Sequence, residues 1–468
     1  MNNKVKTFLD DVCIHINYKA VHSDIREELT QHIHDLKDDY IKQGYDEEKA
    51  LDSAILAMGN SDEIGTRLNK QHKPQTEWSL LVLTFLIAAF GCAIIYVSNN
   101  FDKQAVHFSR YLIYAIIGIG AMLGLYFFDY TKLKKHAFPV YISAMSLLII
   151  TSFIGVTVNG AKRWIAVGPF SISSASFASV LFIISFIGFL EKYRGEKALG
   201  IVKLIGLGLV SFLPIIVQPN LSVAFIMIIT YAIILFKAIS KNHFSGNKKI
   251  QLLSLSGLGL AGILVNVFFV LSSPYRLERI FRFLSRGQHD PKGSGWQQVM
   301  ADKWLFSSKL FGRTSEIAEG SLEFTLPGLT SEYVLVNIIA SFGWIVGIAL
   351  ILLIATFIIR LYVTTKKVKS GFGYYLSLSA CTLISAQFII SILLNFSLFP
   401  LIGIDMPFVS YGGSGYIVSM ALVGIILSVW RRNNLISYKV ETIAPITPSK
   451  NIISFTDGKL VIDFKAWK

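Results

Sequence analysis

The sequence predicts an all-α polytopic membrane protein of ten transmembrane helices, with a small helical domain ahead of them and a short β-hairpin behind. Three observations carry this prediction. Of the 468 residues 53% are hydrophobic and only 16% charged, and the mean hydropathy is positive, which is too apolar for a soluble chain of this length. Apolar runs long enough to cross a bilayer recur near 78–97, 111–129, 138–157, 176–190, 201–217, 221–238, 251–273, 334–360, 374–395 and 413–430. Basic residues collect in alternate short loops: Lys132, Lys134 and Lys135; Lys192, Arg194 and Lys197; Lys237, Lys241, Lys248 and Lys249; Arg360, Lys366, Lys367 and Lys369. Basic short loops face the cytoplasm, and Arg431 and Arg432 follow the last run on the same side, so both termini are expected to be cytoplasmic. The net charge of +14 follows from this topology, and no nucleic-acid partner is expected.

Residues 1–77 read as a cytoplasmic helical domain. Ser23, Asp46 and Ser61 are suited to cap helix starts, Gly44 and Gly59 to end helices, and Ile25, Leu29, Ile33, Leu36 and Tyr40 recur on one helix face. Glu28, His32 and Asp35 share a face, but without a cysteine or second histidine partner they read as solvated surface rather than metal ligands. The polar start lacks the apolar core of a signal peptide, so the first span is expected to act as the insertion signal. Cys13 is cytoplasmic and Cys92 and Cys381 lie in spans, which implies no disulfide framework. The pattern EELTQHIHD, then GYDEEKALDSAILAMGNSDEIG, resembles the permease prefix domain found ahead of various bacterial membrane proteins. That resemblance implies partner binding or regulation.

The membrane part covers 78–430 and contains one long exoplasmic segment, about 274–333. Trp296, Trp304, Phe306, Phe311 and Phe324 give it apolar surface to pack on the bundle or the membrane interface. The tail, 431–468, carries a hairpin pattern around Asp457-Gly458 that needs a docking surface, for which the N-terminal domain is one candidate.

Polar interruptions mark the candidate site. The stretch 400–414, PLIGIDMPFVSYGGS, sets proline, Gly412 and Gly413 and small polar residues between two apolar segments. Unpaired peptide groups are costly in hydrocarbon, so such backbone implies either a cavity within protein or a tight exoplasmic turn. The stretch 159–170, NGAKRWIAVGPF, puts Lys162, Arg163 and Trp164 at the exoplasmic interface, where they suit a lipid phosphate and equally suit an interfacial anchor. Gln218-Pro219-Asn220 is a second polar break or a plain hairpin turn. Tyr275, Arg276 and Arg279 open the long loop, where an arginine fork fits pyrophosphate; Asp290-Pro291, Gly293 and Gly295 then supply turns.

In order, the segments NGAKRWIAVGPFSI, QPN, YRLERI, DPKGSGWQQ, LPGLTSEYV with SFGWIVG, and PLIGIDMPFVSYGGS resemble the SEDS family, the peptidoglycan glycosyltransferases that include RodA, FtsW and SpoVE. The resemblance spans nearly the whole membrane part. It implies a multi-pass protein of the bacterial cytoplasmic membrane that polymerises lipid II at the outer face, among membrane lipids, with a class B penicillin-binding protein as partner. It implies Glu332 as the catalytic base. The substrate-binding candidates are Lys162, Arg163, Trp164, Gln218, Asn220, Arg276, Arg279, Asp405, Ser410, Tyr411, Gly412 and Gly413. A divalent cation, Mg or Mn, is the one cofactor the chemistry admits, and no ligand set in the sequence specifies it.

This chain departs from the family pattern at charged positions. The QPSE motif and its following lysine become Ser173, Ser174, Ala175 and Ser176 with Ser179; QPD becomes Gln218, Pro219 and Asn220; the acid of the LPE-x-x-TDF motif becomes Glu332. Asp405 stands where an uncharged residue is usual, either compensating or capping a turn. Glu332 by position alone also suits a helix-start acid. Two further readings therefore stand beside the polymerase: a regulatory relative of the same fold without turnover, and a flippase of lipid-linked sugars.

Overall fold

The structure, a computed structural model, describes residues 2–101, 107–158, 161–168, 170–218, 220–272, 274, 277–278, 281, 296–314, 326–400, 402–435, 453–456 and 459–462. The chain divides into two compact units: Met1–Lys73 with Asn434–Lys468, and Pro74–Asn433.

The first unit holds helices α1 (Asn3–Ile14), α2 (His22–Lys42), α3 (Glu47–Met58) and α4 (Ser61–Gln71). The stripe expected on α2 is its packing face: Ile25 and Ile33 are buried, and Leu29, Leu36 and Tyr40 pack beside them. Gly44 and Gly59, at φ +93° and +91°, follow the ends of α2 and α3 in a backbone region that side-chain-bearing residues avoid. Asp46 holds the cap position of α3, but two other expected caps are displaced. A 3₁₀ turn, Lys19–Val21, leads straight into α2, so Ser23 lies inside the first turn; Asn60 rather than Ser61 caps α4, accepting the Asp62 N–H at 2.9 Å. Leu435 is buried with Val12, Ile16, Val21 and Ile25, and the Asn434 carbonyl meets His72 Nδ1 at 3.0 Å. The expected C-terminal hairpin forms as β4 (Ile453–Thr456) against β5 (Lys459–Ile462), with Thr456 opposite Lys459; its turn residues Asp457 and Gly458 lie outside the described residues.

The second unit contains α5 (Trp78–Phe101), α6 (Phe108–Phe127), α7 (Ala137–Ile154), α8 (Ser174–Lys192), α9 (Ala198–Val217), α10 (Leu221–Ser240) and α11 (Lys248–Leu271). Beyond these come α12 (Trp296–Ser307), α13 (Val334–Phe342), α14 (Trp344–Lys366), α15 (Gly371–Asn395) and α16 (Gly413–Arg431). Among the described residues nine stretches are long and apolar enough to cross a membrane. The span expected at 251–273 falls on α11, 24 residues long but not one of those nine. Of the nine apolar spans, α8, α15 and α16 are the most buried, and the short α13 (Val334–Phe342) is buried as well. Small residues permit that packing: Gly118 of α6 meets Tyr416 and Met420 of α16, and Gly424 of α16 lies against the Met122 backbone.

Two local features were not expected. The run 334–360 is not one span: it breaks at Gly343 (φ +96°) into the short buried α13 and the long α14. The irregular segment 309–314 holds the break open, since the Gly312 and Thr314 N–H groups donate to Phe342 and Ala340 carbonyls, and the Trp344 and Ile345 N–H groups donate to the Lys309 and Leu310 carbonyls. The membrane unit is also not purely helical. Strands β1 (Val156–Val158), β2 (Ala161–Val167) and β3 (Phe170–Ser173) form an antiparallel sheet in that order, with Trp164 opposite Ser173 and a tight connection at Gly168, φ +59°. Of the aromatics expected to pack the long loop, Trp304 on α12 is buried while Phe306 and Phe311 are exposed; Phe324 lies outside the described residues.

Candidate active site

The stretch between α15 and α16 is irregular backbone inside protein, not an exposed turn. Ile404, Met406, Phe408, Val409 and Ser410 are buried. Phe408, at φ +62°, seats its ring among Phe357, Phe388 and Tyr416, and its carbonyl accepts from the Tyr111 hydroxyl at 3.2 Å. Gly91 of α5 is bare where a Cβ would strike the Phe408 carbonyl, which is what lets the loop come so close.

This loop is stitched to the turn ahead of α13. The Ser410 hydroxyl donates to the Ser331 carbonyl at 2.6 Å and accepts the Met406 N–H at 2.8 Å, while the Tyr411 N–H donates to the Thr330 carbonyl at 2.6 Å. From α15, the fully buried Asn395 donates to the Glu332 carbonyl at 2.8 Å and accepts the Val336 N–H at 3.0 Å. Glu332 therefore sits in a fixed turn before α13, outside the helix's first turn, with a carboxylate oxygen 3.1 Å from where a Cβ on Gly403 (φ +65°) would be.

Beside this junction lies a cavity of about 360 Å³. Its wall includes eight of the sequence candidates: Arg163, Trp164, Asn220, Asp405, Ser410, Tyr411, Gly412 and Gly413. The sheet delivers the first two, and β3 is tied to α16 because the Ser414 hydroxyl accepts the Ser173 N–H at 2.8 Å. The Arg163 guanidinium lies 4.7 Å from the centre of the Trp164 ring, and its Nε is buried with no hydrogen-bond partner among the described residues. Burial pulls this guanidinium below its ordinary pKa, and the Glu332 charge opposes that pull, so base candidate and cation feel each other across the junction. Asp405 keeps part of its surface open, yet burial pushes its carboxyl up to about 6.

Other candidates are placed elsewhere. Lys162 is exposed and does not line the cavity. Gln218 is buried in the scaffold: its amide donates to the Leu148 carbonyl at 2.7 Å and accepts from Ser174 at 3.3 Å, fixing the break between α9 and α10. Arg276 and Arg279 lie outside the described residues. Sequence reasoning missed Arg110 and Tyr114 of α6, which line the cavity, and Asn395, whose only signal is an amide ending an apolar span.

The profile of the cell cycle protein family that groups FtsW, RodA and SpoVE matches residues 73–435. The chain belongs to that family. Stage V sporulation protein E of Bacillus subtilis (strain 168) is 28% identical over 363 residues, which cover 75% of this chain and 95% of that protein. A Borreliella burgdorferi protein named "Probable peptidoglycan glycosyltransferase FtsW" is 29% identical over 359 residues, 75% of this chain and 95% of that one. Among solved structures, a chain of a peptidoglycan synthase complex that coordinates polymerization and crosslinking superposes with a TM-score of 0.61 at 20% identity, covering 76% of this chain and 98% of its own. A mutant of the Thermus thermophilus rod shape determining protein RodA gives 0.54 at 18% identity, with coverage of 76% and 98%. Both share the fold.

Membership in the FtsW, RodA and SpoVE family, with nine apolar helices among the described residues, makes this a multi-pass protein of the cytoplasmic membrane. Where the resemblance led to the expectation of a carboxylate and a lysine, this chain has serines whose hydroxyls are hydrogen-bonded. Ser174 donates to Gln218, Ser176 donates to Ser173 at 3.0 Å, and Ser179 donates to the Ser176 carbonyl at 2.7 Å.

Proposed function

We propose that this SEDS protein is a peptidoglycan glycosyltransferase that polymerises lipid II at the outer face of the bacterial cytoplasmic membrane, with both termini in the cytoplasm and a class B penicillin-binding protein as partner. The observation that carries the site assignment is the stitched junction. Ser410, Tyr411 and Asn395 hold the Glu332 turn against the cavity loop, with Arg163 close enough to sense its charge.

In this reading Glu332 takes the proton from the acceptor sugar hydroxyl as that oxygen bonds to the anomeric carbon and the lipid pyrophosphate leaves with the bonding electrons. General-base help of this kind is worth about 10²–10⁴ in rate. Arg163, and Arg110 across the wall, offer cationic donors to the negative charge that grows on the leaving group. Among the described residues no group of three or more histidine, cysteine or acidic side chains gathers as metal ligands, so no step is drawn through a divalent cation.

The test is lipid II polymerisation by the purified protein with its co-purifying partner. Glu332→Gln should abolish glycan strands, by about 10²-fold or more, while Glu332→Asp should retain activity. Wild type making no polymer with its partner, and none appearing with Asp, overturns the reading in favour of a regulatory relative, which the altered acidic positions (Ser176, Asn220 and Glu332) and the added N-terminal domain motivate.

A further inference from the structure

We propose that Asp405 is a sugar-recognition residue, its carboxylate accepting hydrogen bonds from hydroxyl groups of the lipid-linked sugar and so orienting that sugar in the cavity. The inference rests on the glycosyltransferase reading above and adds the group that distinguishes sugar-bearing lipid from bare lipid pyrophosphate.

Asp405 is the one carboxylate among the described residues that line the cavity. The arginines on the wall only donate hydrogen bonds, and the serine and tyrosine hydroxyls both give and take; an ionised carboxylate only accepts, at about four lone-pair sites. A sugar presents several adjacent O–H donors, and such a group is the natural counterpart to an acceptor of that kind. A pyrophosphate is not, because two anions repel. The wall thus offers both kinds of group, Arg110 and Arg163 for the anionic part of a lipid-linked sugar and Asp405 for its hydroxyls.

The carboxylate is built into the wall. Gly412 is bare where a Cβ would collide with Asp405 Oδ2, and a Cβ on Gly415 would sit 3.6 Å from the same oxygen. The adjacent residue, Met406, is locked by its N–H to Ser410. Among the described residues no cation is paired with Asp405, unlike Glu191, which has Lys134 at 3.6 Å and Arg194 at 3.7 Å. A desolvated carboxylate without partners is costly, and ligand hydroxyls supply what the protein withholds.

Its titration follows from the same surroundings. The other charged or titratable groups on the wall are Arg110 and Tyr114 of α6, Arg163 of β2, and Tyr411 and Tyr416 around the start of α16, with Glu332 behind Gly403; burial alone moves the Asp405 carboxyl, to about 6. Hydrogen bonds from a sugar favour the ionised form and bring that value back down. Near pH 6, binding should therefore release a proton.

The experiment measures binding of two probes to the purified full chain: undecaprenyl pyrophosphate carrying the disaccharide, and bare undecaprenyl pyrophosphate. Asp405→Asn and Asp405→Ser should each weaken the sugar-bearing lipid by about tenfold to a hundredfold and leave the bare lipid within about twofold, the latter also reporting that the variants are folded. Calorimetry in two buffers near pH 6 should show proton release with wild type and the sugar-bearing lipid, and none with Asp405→Asn. Unchanged affinity in both variants, or equal loss for both lipids, overturns the role of Asp405 alone. Wild type binding neither lipid overturns the substrate reading itself, and this inference with it.

Discussion

The Ser410 hydroxyl serves two backbone groups at once, the half-buried Ser331 carbonyl and the buried Met406 N–H, and so joins the turn that carries Glu332 to the loop that carries Asp405. Removing it breaks both links, and the buried Met406 N–H left without a partner costs about 1–3 kcal/mol. Because a misplacement of about 1 Å can lower a rate about 10²-fold, Ser410→Ala should depress polymerisation well beyond its effect on melting temperature. Activity matching wild type in a Ser410→Ala protein would show that the stitch does not position the base. Ser410 was legible in the sequence only as part of SYGGS. Its two partners were not: the Ser331 carbonyl is 79 residues away in sequence, and the Met406 N–H, four residues back, is reached only through the turn that the Ser410 N–H makes with the Met406 carbonyl. Arg110 was overlooked for a similar reason: a lone arginine at the start of an apolar run reads as a flanking charge, and only the packing of α6 on α16 brings it to the cavity.

At the scale of elements, long apolar runs were readable and their interruptions were not. One glycine divides 334–360, and nothing in its neighbourhood announces this, since the segment that holds the break open, 309–314, lies earlier in the chain. Strands β2 and β3 were hidden in a different way. Lys162, Arg163 and Trp164 have the composition of an interfacial anchor, and the period-two pattern of the pair shows only when Trp164 is set opposite Ser173. Gly343→Ala tests how strictly the break is built. At φ +96° an L side chain is strained by about 1–3 kcal/mol, and the new Cβ would also meet the Leu310 carbonyl and, at 2.7 Å, the Phe311 Cα. Both are backbone atoms that cannot swing aside. The variant should melt at lower temperature and lose polymerisation, because α13 follows directly on the Glu332 turn; wild-type melting would mean that segment 309–314 yields.

For the whole molecule, one of the two units is discontinuous in sequence while the other, Pro74–Asn433, is a single stretch. The first is assembled from both ends of the chain, and its core is completed by Leu435, which follows the last apolar helix by only a few residues and is buried against Val12, Ile16, Val21 and Ile25. The sequence assigned 1–77 to a domain of its own from its caps and stripe, but a leucine in a tail of mixed composition gives no sign of whose core it enters. Leu435→Ala removes buried methyl groups and should cost this unit about 2–5 kcal/mol. Hydrogen exchange on the full chain reads this directly: amides of α1 and α2 should lose protection while those of α8, α15 and α16 keep theirs. Polymerisation of lipid II in detergent should stay near the wild-type rate, because the groups assigned to the chemistry all lie in Pro74–Asn433. A loss of polymer that tracks the loss of protection in α1 and α2 would reveal the opposite, that the folded N-terminal unit is required for turnover.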